Sequence, residues 1–344
     1  MSGEIVIDAA EGATRNDMYK EIPLIEIRNL RVHYEMNEGV VEAVNGLDLT
    51  IYKGETFGLI GETGAGKTTT ALSILGLLPE PRAHVIHGAI LLDGENLFEK
   101  SKKEMLEIRG NKISMIFQDP MTALNPVHKI GKQVTEVIAL HQNTKDRKRA
   151  ELDAVDMLRV VGIQEDRFEN YPFEFSGGMK QRVVIAMALA CRPELIIADE
   201  PTTALDVTIQ AQVLAMMKER RETYNTSVLM ITHDFGVVAE TCDRCAVMYA
   251  GEVVEQGTIE HIFDDPRHPY TIGLFNALPS LDKNKQLKPI KGLMPDPMNL
   301  PSHCTFADRC DRCADMCSRD DPQLTEVSPG HLVKCFLAVG LEAE

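Results

Sequence analysis

The sequence has no long apolar run. Nowhere do the roughly 18 to 20 consecutive apolar residues needed to cross a bilayer occur. Its opening, MSGEIVIDAAEGATRND, carries neither a basic start nor an apolar stretch, so the chain is expected to be neither exported nor membrane-spanning. Positive charge is scarce: 36 Lys and Arg stand against 52 Asp and Glu, a formal charge of -16. A surface of that sign repels phosphate polymers, which argues against a nucleic-acid partner. Internal repeats and low-complexity tracts are also missing, so each motif below occurs once. What is present, 344 residues of which 44% are hydrophobic and 26% charged, is enough for one large or two modest globular domains.

Residues 1–21 mix Gly, Ala, Asp and Glu without periodicity and read as a mobile, solvated extension. Apolar runs then predict strands over Leu24 to Tyr34, Val40 to Ile51 and Thr56 to Ile60. Further strands are expected over Val85 to Leu92, Ile113 to Phe117, Leu195 to Ala198, Val228 to Thr232 and Cys245 to Tyr249. Between residues 121 and 192 strand signals vanish and helical spacing takes over, as in Ile130 to His141 and Arg147 to Val161. The pattern predicts an α/β core over residues 22–278 carrying a helical subdomain at about 121–192. A boundary near Pro279 separates a small C-terminal, cysteine-rich extension, residues 279–344.

Two motifs bear directly on chemistry. Gly61-Glu62-Thr63-Gly64-Ala65-Gly66-Lys67-Thr68, followed by Thr69, fits G-x-x-x-x-G-K-[ST] and lies between an apolar strand and a helix. Glycines there let backbone N–H groups surround phosphates, the helix start adds its positive end, and Lys67 adds a point charge. Thr68 offers a hydroxyl to Mg²⁺. The run Leu195 to Glu200 reads as a buried parallel strand ending in two acids, where ligands of such sheets collect. Asp199 is assigned to the Mg²⁺ shell and Glu200 to the attacking water.

Phe175-Ser176-Gly177-Gly178-Met179-Lys180-Gln181-Arg182, about twenty residues before those acids, resembles the signature sequence of the ATP-binding cassette (ABC) ATPases. Ser176 suits a helix N-cap, and the glycines bare further N–H groups for an anion. The resemblance implies a P-loop NTPase cassette: a RecA-like core, an antiparallel β subdomain and a helical subdomain. It also implies head-to-tail dimers, in which Ser176, Gly177, Gly178 and Gln181 of one chain close over ATP held by the other. By the same resemblance Gln118 contacts Mg²⁺ and leads into the helical subdomain, Asp206 crosses the dimer interface, and His233 contacts the γ-phosphate. Tyr34 matches the aromatic that stacks on adenine, although a tyrosine there could equally be core.

The tail narrows the resemblance. His268-Pro269-Tyr270-Thr271 and Leu278-Pro279 resemble the C-terminal extension of oligopeptide and dipeptide importer ATPases. That implies a peripheral subunit on the cytoplasmic side of the cell membrane, beneath two transmembrane permease subunits fed by an extracytoplasmic binding protein. The group commonly pairs two different ATPases, so a heterodimer with a paralogue is expected ahead of a homodimer. Cargo stays open among peptides, nickel chelates and sugars. A soluble, non-transport ABC ATPase would instead call for basic patches, coiled-coil insertions or two cassettes. Cys304, Cys310, Cys317 and Cys335 match the cysteines reported in that branch to hold a [4Fe-4S] cluster; Cys313 makes a C-x-x-C pair that keeps Zn²⁺ as the alternative.

Overall fold

The computed structural model describes residues 22–141, 146–202, 207–278 and 288–340. Strands β1 (Pro23–Met36) and β2 (Gly39–Tyr52) pair antiparallel and lead into β3 (Thr56–Ile60), which belongs to a second sheet. The chain returns in β4 (Ala83–Leu92), antiparallel to β1, and β5 (Glu95–Asn96) completes the first sheet in the order β2-β1-β4-β5.

The second sheet adds β6 (Ile113–Ile116), β7 (Leu195–Asp199), β8 (Ser227–Ile231), β9 (Arg244–Tyr249) and β10 (Glu252–Thr258). It is completed by β11 (Thr325–Ser328) and β12 (His331–Val333). Its order is β11-β12-β10-β9-β3-β8-β7-β6. The five strands from β9 to β6 run parallel, and β10, β12 and β11 are antiparallel. Every residue of β3, β7 and β8 is buried, which is why TFGLI, LIIAD and SVLMI read as unbroken runs rather than alternating ones.

One core joins the two sheets: Ile25, Leu30 and Leu47 from the first meet Leu59, Ile197 and Leu229 from the second. A second core belongs to the helical part. There Ile130, Val134 and Ile138 of helix Ile130–His141 face Ala150, Ala154 and Leu158 of helix Arg147–Val160, each set spaced four residues apart. Among the described residues no helix is long and apolar enough to cross a membrane.

Strands β10, β11 and β12 have no counterpart among the strands that the sequence pattern predicts. They put the tail into the main sheet: β12 pairs with β10 through Glu255 and Val333, and Phe306, Cys304 and Cys310 pack in a third core with Tyr249 and Tyr270. A cysteine-rich segment too poor in apolar residues to build a core of its own borrows that of its neighbour.

Candidate functional site

The phosphate-loop motif bridges the C-terminal end of β3 and helix Lys67–Leu75. Two glycines are required by geometry. Gly61 has φ 156° and a Cβ there would lie 2.3 Å from the Met248 carbonyl oxygen; Gly66 has φ 101° and its Cβ would lie 2.5 Å from that of Ala43. The loop is thus pressed against neighbouring backbone at both glycines.

Lys67 Nζ donates to the carbonyl oxygens of Gly61, at 2.7 Å, and Glu62, at 2.9 Å. Burial pulls its pKa down, and the charges of Glu200, Asp199 and Glu62 oppose that. Thr68 Oγ1 donates to Asp199 Oδ2 at 2.8 Å, joining two of the three groups assigned to Mg²⁺. Burial raises the Asp199 pKa, and the nearby Glu200 adds to the effect while the Thr68 hydrogen bond counters it. A buried carboxylate that is hard to ionise, beside a threonine hydroxyl, suits an oxygen-loving dication.

Glu200 leaves β7 with φ 52°, a left-handed conformation uncommon outside glycine, fixed by its N–H donating to the Ile231 carbonyl at 2.8 Å. Its Oε1 meets His233 Nδ1 at 2.7 Å, with the carboxylate side chain 11% exposed and the imidazole 66%. Glu200, assigned to the attacking water, and His233, assigned to the γ-phosphate, therefore form one hydrogen-bonded pair. Tyr34, Thr63, Gly64, Gly66, Lys67, Thr68, Thr69, Gln118, Asp199 and Glu200 line one cavity of about 350 Å³, within the ordinary range for small-molecule sites. Tyr34 Oη lies 3.3 Å from Thr69 Oγ1 at its rim, and Ala65 is buried behind the loop.

The signature residues lie apart from that cavity. Ser176 caps helix Gly177–Leu189, its Oγ accepting from the Met179 N–H at 3.3 Å, and Ser176 and Gly177 are exposed with Gly178 half-buried. Gln181 behaves differently. It is 1% exposed and donates through Nε2 to the Pro201 carbonyl at 2.9 Å, so it points into the fold rather than outward with Ser176. Asp206 lies outside the described residues.

Glu62 does not line the cavity; its carboxylate is bound by Arg309 of the tail. Its N–H donates to the Tyr270 hydroxyl at 3.1 Å. Tyr270 belongs to helix Pro269–Asn276, capped by the buried His268, whose Nδ1 accepts the Tyr270 N–H at 3.1 Å. Pro297 joins the cavity wall, and its carbonyl accepts the Glu42 N–H at 2.8 Å. The HisProTyrThr run was the signal for Tyr270; nothing in sequence marks Pro297 or Arg309.

In the tail, burial raises the thiol pKa of Cys304 and Cys310 to about 12 and about 11 and raises that of Cys335. Cys304 feels the charges of Cys317, Cys335 and Cys310, and Cys310 those of Cys335, Cys313 and Cys317. All five tail cysteines therefore share one neighbourhood, with Cys313 the exposed member. Among the described residues no three His, Cys, Asp or Glu side chains converge closely enough to hold a metal ion.

A glycine loop, a Thr–Asp metal pair and a Glu–His pair at the C-terminal edge of a parallel sheet, with a serine-capped glycine helix beyond, define a P-loop ATPase cassette. The sequence profile described as "ABC transporter" matches residues 44–203, and that described as "Oligopeptide/dipeptide transporter, C-terminal region" matches residues 254–317. The oligopeptide transport ATP-binding protein AppD of Bacillus subtilis is 48% identical over 317 residues, covering 91% of this chain and 96% of that protein. OppD of Haemophilus influenzae is 47% identical over 319 residues, covering 92% and 98%. Among solved structures, the dimeric post-hydrolysis state of the ATP-binding cassette MJ0796 bound to ADP and Pi aligns with TM-score 0.62 at 28% identity, over 68% of this chain and 98% of that one. The chain belongs to the ATP-binding proteins of the oligopeptide/dipeptide ABC transporter family.

Proposed function

We propose that this chain is the ATP-hydrolysing motor of an importer for oligopeptides or dipeptides, working peripherally on the cytoplasmic face of a membrane beneath two permease subunits. The observation that carries the ATPase is the cavity that gathers Lys67, Thr68, Asp199 and Glu200, the last hydrogen-bonded to His233. The peptide cargo rests on relatives named for oligopeptide and dipeptide transport that align over nine-tenths of the chain.

In this reading the loop N–H groups and Lys67 receive the phosphates, and Tyr34 stacks on adenine. Thr68, Asp199 and Gln118 hold Mg²⁺, which neutralises charge on the β- and γ-phosphates when bound. Glu200, held by His233, orients the attacking water. Ser176, Gly177 and Gly178 close over ATP on a partner cassette, and Asp206 lies at that interface. The partner is a paralogue, and an extracytoplasmic binding protein delivers cargo to the permeases. Buried and deeply packed, Gln181 supports the signature helix without touching nucleotide.

Cys304, Cys310, Cys317 and Cys335 are assigned to a [4Fe-4S] cluster, with Zn²⁺ as the other candidate. Four cysteines in one short segment are a donor set of the right number and kind. Its role here is to fasten the tail. Metal analysis of anaerobically purified protein decides it: about four irons per chain with visible absorbance supports the cluster, one zinc replaces it, and a metal-free chain ends the assignment.

The hydrolytic role is tested with Glu200→Gln. ATP should still bind while turnover falls by roughly a hundredfold or more. Turnover within about twofold of the parent would remove Glu200 from the mechanism.

A further inference from the structure

Glu62 is an awkward residue for a phosphate-binding loop. Its carboxylate stands on the loop just outside the cavity, and its charge reaches Lys67, the cation of that loop. The tail answers it. Arg309 donates from Nη1 to Glu62 Oε2 at 2.9 Å and from Nη2 to Oε1 at 3.1 Å, a two-pronged contact between residues 247 positions apart.

The guanidinium is itself immobilised. Nε donates to the Lys291 carbonyl at 3.0 Å, Nη1 also reaches Tyr249 Oη at 3.4 Å, and the Tyr249 and Phe306 rings lie 5.6 and 6.0 Å from its central carbon. The Arg309 side chain is 6% exposed and that of Glu62 33%, so solvent reaches the pair only from the carboxylate side. Tyr270, from the helix that precedes the tail, holds the same residue by its backbone at 3.1 Å, and Met294 of the tail lies against Gly64.

We propose that Arg309, with Tyr270, is a positioning residue for the nucleotide: the tail neutralises and holds Glu62 so that the phosphate loop can accept ATP. ATP affinity is thereby set in part from the C-terminal extension. The inference rests on the ATP-binding reading above. A planar two-pronged donor is the chemistry that a carboxylate on a crowded loop requires, and a lysine could not supply it.

The test is equilibrium titration of the full-length protein with a fluorescent ATP analogue and Mg²⁺. Failure of the parent chain to bind would overturn the ATP reading itself, whereas the variants address Arg309. Arg309→Met leaves Glu62 charged and unpaired, and its Kd should rise about tenfold. Adding Glu62→Gln removes the offending charge and should bring Kd back to within about threefold of the parent. General damage to the tail would not be rescued in that way. An unchanged Kd in Arg309→Met, or a weakened one that Glu62→Gln fails to restore, overturns the proposal. Should Arg309→Met not fold, Glu62→Gln alone decides. With Arg309 present it should bind the analogue at least as tightly as the parent, and weaker binding refutes the neutralising role.

Discussion

Replacing His268 with Asn isolates the cost of keeping an imidazole neutral inside the fold. His268 is 2% exposed, and burial drives its pKa from 6.5 down to about 3; the Lys334 charge helps, and a hydrogen bond with the Lys334 backbone opposes. Its Nδ1 accepts the Tyr270 N–H, which protonation there would forbid. The folded pKa lies below the unfolded one, so on acidification the unfolded chain takes up a proton that the native state refuses. Stability is therefore unaffected above about pH 7 and is lost as pH falls through 6.5 toward 3. Integrating that difference gives a loss of ~2 kcal/mol between about pH 7 and about pH 5 from this one side chain. Asn caps a helix nearly as well and does not titrate. Urea unfolding of the parent and of His268→Asn at both pH values should show the parent losing ~2 kcal/mol more than the variant. Equal losses in the two proteins would mean that His268 is not held neutral, and the argument would fail.

Gly66→Ala should abolish ATP binding while the chain still folds, because its Cβ would meet the Ala43 carbonyl at 2.5 Å and its φ is 101°. A normal titration with the ATP analogue would contradict that geometry. Ser176→Ala removes the cap that accepts the Met179 N–H and should destabilise the chain by about 1 kcal/mol in urea. If Ser176 also closes over a partner's nucleotide, hydrolysis should fall while ATP affinity of the isolated chain is kept, and affinity and rate falling together would reject the division of labour.

The parallel strands were legible because burial on both faces leaves each with a central apolar run and a polar residue only at one end, as in TFGLI, LIIAD and SVLMI. The phosphate loop and Asp199–Glu200 were legible because each is local, a motif placed at the end of such a strand. Strands β10, β11 and β12 were not. The buried Glu255 breaks the apolar run in β10, and the last two strands are four and three residues long. Glu255 is fully buried with His331, a pairing 76 residues apart that no local pattern announces. The burial of Gln181 was legible too: with Val184 and Ala188 it forms an i, i+3, i+7 stripe on the buried face of its helix. Arg309 and Pro297 reach the nucleotide region only through tertiary packing, which a single sequence does not display.

The junction of β12 with β10 also bears on incomplete copies of the chain. A product ending near residue 278 would leave β10, with the buried Val253 and Val254, as a bare sheet margin. Unpaired strand margins recruit other strands, so premature termination is expected to yield a self-adhering species rather than a shorter working enzyme.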